Sequence, residues 1–228
     1  MIEIGIIIGF CVLAYLFGSI PFGKIIGKSK IGNLKSIDPQ TVGSGNIGAT
    51  NVFRTAGLLK GIITVILDVG KATIPVFLTK NILQLDLQSG WQPNIILLVV
   101  IMSALLGSRF PVWLEFKGGK GVGVLMGSLL VILGWKWLIL VACWIGIIII
   151  AERKVSVGSL ILVAILIPLV GYLLPIPLLY YLWIPASILI FWSHRENIDR
   201  LRKGEEKPLD ISSIKFLSIF AKNKNLRF

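Results

Sequence analysis

Long uncharged runs separated by short polar loops dominate the chain, and the length of each run predicts its element. A helix needs about 20 apolar residues to cross the hydrocarbon layer of a bilayer. Residues 4 to 23 and 87 to 108 reach that length without a charge. Residues 58 to 79 reach it with Asp68 and Lys71 inside the span; their i,i+3 spacing puts both on one helix face, where they neutralise each other. Residues 155 to 193 are too long for one crossing, and Pro175 and Pro177 in "LLPIPLL" predict a helical hairpin turning there. Residues 121 to 151 form two uncharged runs of 15 around Lys136 in "GWKWL". Trp135 and Trp137 beside a lysine compose a headgroup-level turn, so two short helices are expected there rather than one tilted helix.

The distribution of basic residues tests that choice. With seven spans and the amino terminus outside, the inner segments are 24 to 57, 109 to 120, 152 to 154 and 194 to 228, and they hold 19 of the 23 basic residues. Treating 121 to 151 as one span moves Arg153 and Lys154 outside, against the positive-inside bias. The expected fold is therefore an all-α integral membrane protein of seven transmembrane helices, some of them short, with a cytoplasmic carboxy terminus. The run from Ile4 is a retained span rather than a signal peptide, because Glu3 and no Lys or Arg precedes it.

Composition agrees. At 55% hydrophobic and 15% charged, 228 residues cannot form a soluble globule with a charged skin. One membrane domain over residues 1–207 is expected, followed by a basic tail, 208–228, that rests on anionic lipid. The net charge of +12 fits a positive-inside bias and anionic headgroups, and implies no nucleic acid. Cys11 and Cys143 fall inside apolar runs and suggest neither a disulfide nor a metal site.

Three polar stretches then fall at one membrane face. In "GSGNIGATNVFR", residues 43 to 54, Gly43, Gly45 and Gly48 permit close backbone approach, and Thr50 or Asn51 begins a helix whose free N–H groups suit an anion. Asn46 belongs to the same turn, Ser44 adds a hydroxyl and Arg54 a bidentate fork for phosphate. An ordinary glycine turn capped by asparagine would carry many of the same letters. In "RFPVWLEFKGGKG", residues 109 to 121, Lys120 with the N–H groups of Gly118, Gly119 and Gly121 forms a phosphate cradle. The nucleotide-binding spacing G-x-x-x-x-G-K-[ST] is absent, which argues against ATP hydrolysis. Lys117 is a further phosphate ligand or a headgroup-facing charge. In "HRENIDRLRKGEE", residues 194 to 206, His194 and Asn197 lie about 60° apart on a helix and can face one ligand. The pair His194 and Asp199 also spells a His-x4-Asp acyltransferase signature, but about 140° separates those two. Together the loops gather cations, hydroxyls and amides with few carboxylates, a field for a ligand bearing two phosphates or a phosphate and an acyl group.

These motifs, with "GSIPFGK" at 18 to 24, "LDVGK" at 67 to 71 and "VSVGS" at 155 to 159, resemble the bacterial acyl-phosphate:glycerol-3-phosphate acyltransferase family over nearly the whole chain. The resemblance implies transfer of a fatty acyl group from acyl phosphate to the 1-hydroxyl of glycerol 3-phosphate, giving lysophosphatidic acid and phosphate. It implies catalytic roles for Ser44, Arg54, Lys120, His194 and Asn197, and a site role for Ser156. Such an enzyme would be a monomer in the bacterial inner membrane, use no cofactor and face its site to the cytoplasm. Two positions depart from the family: Ser108 stands where it usually has histidine, and Gln40 near a frequent arginine. A transporter for an organic phosphate would exploit Asp68 and Lys71, but its binding loops would lie near mid-membrane rather than at one face.

Overall fold

The computed structural model describes residues 4–31 and 34–209, and over them the chain is helical and built around apolar spans. The basic tail expected over 208–228 lies outside the described residues from position 210 onward. The helices are α1 (Ile4–Ser19), α2 (Phe22–Lys28), α3 (Ala49–Ala56), α4 (Leu58–Ile82), α5 (Trp91–Arg109), α6 (Val122–Leu133), α7 (Trp137–Ile150), α8 (Val155–Ile161), α9 (Ile167–Leu173), α10 (Pro177–Ser193) and α11 (Arg195–Arg202). Five stretches are long and apolar enough to cross a membrane: Ile4–Lys28, Leu58–Ile82, Trp91–Leu114, Val122–Ile150 and Val155–Leu173; Pro177–Ser193 is a shorter apolar helix.

The stretch Val122–Ile150 is not one straight rod. Gly134, at φ 56°, ends α6 in a conformation that side-chain-bearing residues rarely adopt, and a 3-10 turn over Gly134–Lys136 leads into α7. The Trp137 indole donates to the Met126 carbonyl at 2.9 Å. A straight helix would separate those residues by about 16 Å along its axis, so α7 folds back beside α6. The predicted hairpin at 174 to 176 is also present. Leu174 ends α9 and Pro177 opens α10, with Tyr180 Oη donating to Gly171 O at 3.0 Å and Ser187 Oγ to Val163 O at 3.1 Å. Between α8 and α9, residues Leu162–Leu166 widen into a π-helical turn just before Pro168, whose nitrogen cannot donate.

Three boundaries differ from expectation. Residues 4 to 23 are broken at Ile20–Pro21, so α2 sets off separately toward the polar loop. The helix expected from 87 begins at Trp91, because Asp86 caps a turn by accepting the Gln88 N–H at 3.0 Å. The span expected to stop at 79 continues to Ile82.

Close packing among small residues holds the spans together. At Gly18 a Cβ would overlap the Ala104 backbone of α5, and at Gly123 it would meet Asp68 Cβ of α4 at 2.8 Å. The core includes Leu97, Ile101, Leu105, Leu125, Leu129, Leu162, Ile167, Leu178, Leu182 and Ile190, contributed by α5, α6, α9, α10 and the π-helical turn before α9.

Candidate active site

Four polar segments meet at one end of the bundle around a cavity of about 320 Å³. The first is the glycine loop before α3. Gly43 and Gly45 stand at φ 65° and 68°, which side chains disfavour. The buried Asn51 shapes the loop: its Oδ1 accepts the Ser44 N–H at 2.9 Å, and its Nδ2 donates to Pro39, Val42 and Asn46 carbonyls at 2.9, 3.1 and 2.9 Å. The role expected of Asn51 as a phosphate ligand is therefore corrected to that of a positioning residue, because its amide is already spent. Asn46 Oδ1 accepts the Gly48 N–H at 2.7 Å. Ser44, Asn46, Gly48, Thr50 and Arg54 line the cavity, whereas Gly43 and Gly45 bend the chain around it.

The second segment corrects the expected cradle. The Gly118 N–H donates to Arg109 O at 3.1 Å and the Gly119 N–H to Ser108 O at 3.0 Å, so neither is left for a ligand. Lys117 points outward, paired with Glu115 at 3.6 Å, and its side chain is 79% exposed. What faces the cavity is Lys120 with Gly119, Gly121 and the amino end of α6, whose first N–H groups lack intrahelical partners. Burial holds the Lys120 ammonium down to about 8, with the Glu206 carboxylate pulling the other way.

The third and fourth segments are the α10–α11 turn with the strand of chain after it, and the start of α8. His194 is 2% exposed, and its Nδ1 lies 2.8 Å from Ile190 O, a distance for Nδ1–H donation that leaves Nε2 as an acceptor. Burial, then the Lys120 charge, pushes this imidazole down to about 4. Asn197 Oδ1 accepts from Lys120 Nζ, and Asn197 Nδ2 donates to Glu206 Oε1 at 2.7 Å. Ser156 Oγ donates to the same oxygen at 2.8 Å, and Arg200 Nε to Glu206 Oε2 at 2.9 Å. Glu206 is thus the acceptor that ties α8 to α11. Burial pushes its carboxyl up, but hydrogen bonds from Arg200, Asn197 and Ser156 outweigh that and hold it below the usual carboxylate range. Sequence reasoning missed Glu206; its one signal was its place in "RLRKGEE", directly after a glycine turn.

Charge pairing among the described lining residues is uneven. Lys71 pairs with Asp68 at 3.0 Å and Arg200 with Glu206 at 2.9 Å. Among the described residues Arg54 and Lys120 have no carboxylate within 4.0 Å, although Arg54 donates to Lys207 O at 2.5 Å. Two cations therefore remain for anions. Away from this polar end the cavity runs between α4, α6 and α7 and is lined by Val65, Val69, Met126, Trp137, Val141 and Ile145. Of the two departing positions, Ser108 lines the cavity, and Gln40 accepts from Lys24 Nζ at 2.5 Å.

Fold and site together define an integral helical membrane protein with a polar pocket, lined by Arg54 and Lys120, that continues into an apolar channel. The family described as glycerol-3-phosphate acyltransferase matches residues 8–204. A glycerol-3-phosphate acyltransferase of Jannaschia sp. (strain CCS1) is 40% identical over 202 residues, covering 88% of this chain and 92% of that one. Its counterpart in Anaeromyxobacter dehalogenans (strain 2CP-C) is 39% identical over 203 residues, covering 86% and 93%. The crystal structure of PlsY (YgiH), an integral membrane glycerol 3-phosphate acyltransferase, in its glycerol 3-phosphate form aligns with a TM-score of 0.78 at 32% identity, covering 92% of this chain and 98% of that one. Its lysophosphatidic acid form aligns with a TM-score of 0.75. The chain belongs to the glycerol-3-phosphate acyltransferase family.

Proposed function

We propose that the protein transfers a fatty acyl group from acyl phosphate to the sn-1 hydroxyl of glycerol 3-phosphate, the first acylation of phospholipid synthesis. One observation carries the proposal: two cations that have no carboxylate partner among the described residues, Arg54 and Lys120, share a cavity whose far side is apolar. They match a reaction between two phosphates, one of which bears a hydrocarbon chain. The alcohol oxygen bonds to the acyl carbon, the bond from that carbon to the phosphate oxygen breaks, and the alcohol proton leaves with phosphate. Phosphate is already a good leaving group, so transfer is direct and needs no acyl-enzyme.

Arg54 and Lys120 neutralise the phosphates, and the amino ends of α3 and α6 stabilise the charge developing on the leaving group. Neutral His194 accepts a hydrogen bond from the alcohol at Nε2 and orients it, with Asn197 and Ser156 held by Glu206. The acyl chain lies in the apolar channel. The reading takes seven crossings, α1, α4, α5, α6, α7, α8 with α9, and α10, with this end in the cytoplasm of a bacterial inner membrane, which the distribution of basic residues supports. The protein acts as a monomer. Purified protein given acyl phosphate and glycerol 3-phosphate forms lysophosphatidic acid and phosphate without ATP, metal or coenzyme A. Strict dependence on acyl-coenzyme A overturns the donor assignment.

A further inference from the structure

Outside the cavity, α5 and α10 present an arrangement that acyl transfer does not use. Pro185, Ile188, Leu189 and Trp192 follow at i, i+3, i+4 and i+7, a single stripe along α10. With Met102 of α5 they line an open apolar groove of about 300 Å³. Arg109 lies seven residues beyond Met102, hence on the same face of α5 and about 10 Å nearer the polar end. Its Cζ is 4.6 Å from the Trp192 ring centroid, and that of Arg195 is 4.9 Å from it.

Two guanidiniums therefore share one indole at the mouth of the groove. Among the described residues neither has a carboxylate within 4.0 Å, exposed Glu196 included. Arg195 reaches only the Trp192 carbonyl, at 3.3 Å, and Arg109 Nε is buried without a partner. Cation–π attraction offsets part of the repulsion between the two charges but neutralises neither. A group that fits must bring negative charge to the mouth and hydrocarbon to the groove. Inorganic phosphate satisfies only the first requirement; a zwitterionic headgroup brings its own cation toward the guanidiniums.

We propose that this face binds an anionic phospholipid of the surrounding bilayer, its phosphate between Arg109 and Arg195 above Trp192 and one acyl chain along the α5–α10 groove. The assignment stands apart from the acyl-transfer reaction, because none of these five groove residues and neither arginine lines the catalytic cavity.

The test is native mass spectrometry of the full chain in detergent, titrated with phosphatidylglycerol or phosphatidylcholine. The wild type should retain phosphatidylglycerol preferentially. Arg195→Gln, an exposed change, should weaken that retention about fivefold, and Arg109→Gln with Arg195→Gln should weaken it further. Arg202→Gln with Lys203→Gln, which removes equal charge elsewhere, should leave it intact. Ile188→Trp, which fills the groove without touching charge, should also release the lipid. No preference in the wild type, an unaltered preference in Arg195→Gln or Ile188→Trp, or equal loss in Arg202→Gln with Lys203→Gln overturns the site. Displacement by equimolar inorganic phosphate overturns it in favour of a soluble anion.

Discussion

Lys120 should impose an alkaline limit on catalysis near pH 8. Its ammonium loses its proton at about 8, chiefly because burial disfavours the charge. The proposed phosphate clamp is the protonated form, present below that pH and lost as pH rises through it. At one pH unit above the limit about a tenth of the molecules keep the charge, so kcat/KM, which reports the free enzyme, should fall about tenfold by pH 9. Lys120→Arg carries a charge that no accessible pH removes, so its profile should stay flat through that region from a lower plateau. Glu206→Gln should move the limb the other way, toward lower pH, because the Glu206 carboxylate supports the Lys120 charge. Initial rates of phosphate release between pH 6 and 10, at fixed ionic strength and corrected for spontaneous acyl phosphate hydrolysis, measure all three profiles. A wild-type limb that survives in Lys120→Arg refutes the assignment, because another group would then be titrating.

Arg54→Ala should lower kcat/KM by about two orders of magnitude, the cost of losing one charged contact worth about 3 kcal/mol in the transition state; wild-type turnover rules out its clamp role. Glu206→Ala strands the donors of Ser156, Asn197 and Arg200 together, so it should destabilise the protein by about 3 kcal/mol or more, read as a lower unfolding temperature in detergent. An unchanged melting curve would show that the three donors find other acceptors. Gly43→Ala puts a side chain at φ 65° against Asn51 and Thr55, so kcat/KM should fall at least tenfold while Lys117→Ala, at an outward-facing position, stays within twofold. Equal losses at the two positions contradict the placement of these loops.

Much of the fold was legible because it depends on local chemistry. Run length located the apolar segments, Pro175 and Pro177 marked the hairpin, and Trp135-Lys136-Trp137 marked the turn between α6 and α7. The misjudged ends depend on single side chains whose partners periodicity does not reveal, such as Asp86 capping the turn before α5. The site divides in the same way. Ser44, Arg54, Lys120, His194 and Asn197 line one cavity, and the family resemblance together with the placement of their loops at one face pointed to them. The use of the Gly118 and Gly119 N–H groups was not, since it depends on where the last carbonyls of α5 fall after the chain turns at Pro111. Nor was Glu206, whose Ser156 partner is 50 residues away and whose basic neighbours give it the look of a solvated charge.

Short helices suit this site for a physical reason. A span that runs straight through the bilayer buries both its ends in headgroups, far from any chemistry on an acyl chain. Here α6 has 12 residues and α7 has 14, and α6 starts at Lys120-Gly121 against the cavity. Its amino-terminal N–H groups point at the place proposed for phosphate, while Met126, one turn deeper, already lines the apolar part. The same helix therefore offers positive potential to the proposed leaving group and hydrocarbon to the chain attached to it, over a distance of about 7 Å. Asp68 and Lys71 cancel each other on the facing helix, so the net field at that boundary is set by Arg54 and Lys120. A substrate whose charge and chain are joined at a single carbonyl can then be held at both ends, with the carbonyl at the junction where the alcohol is positioned.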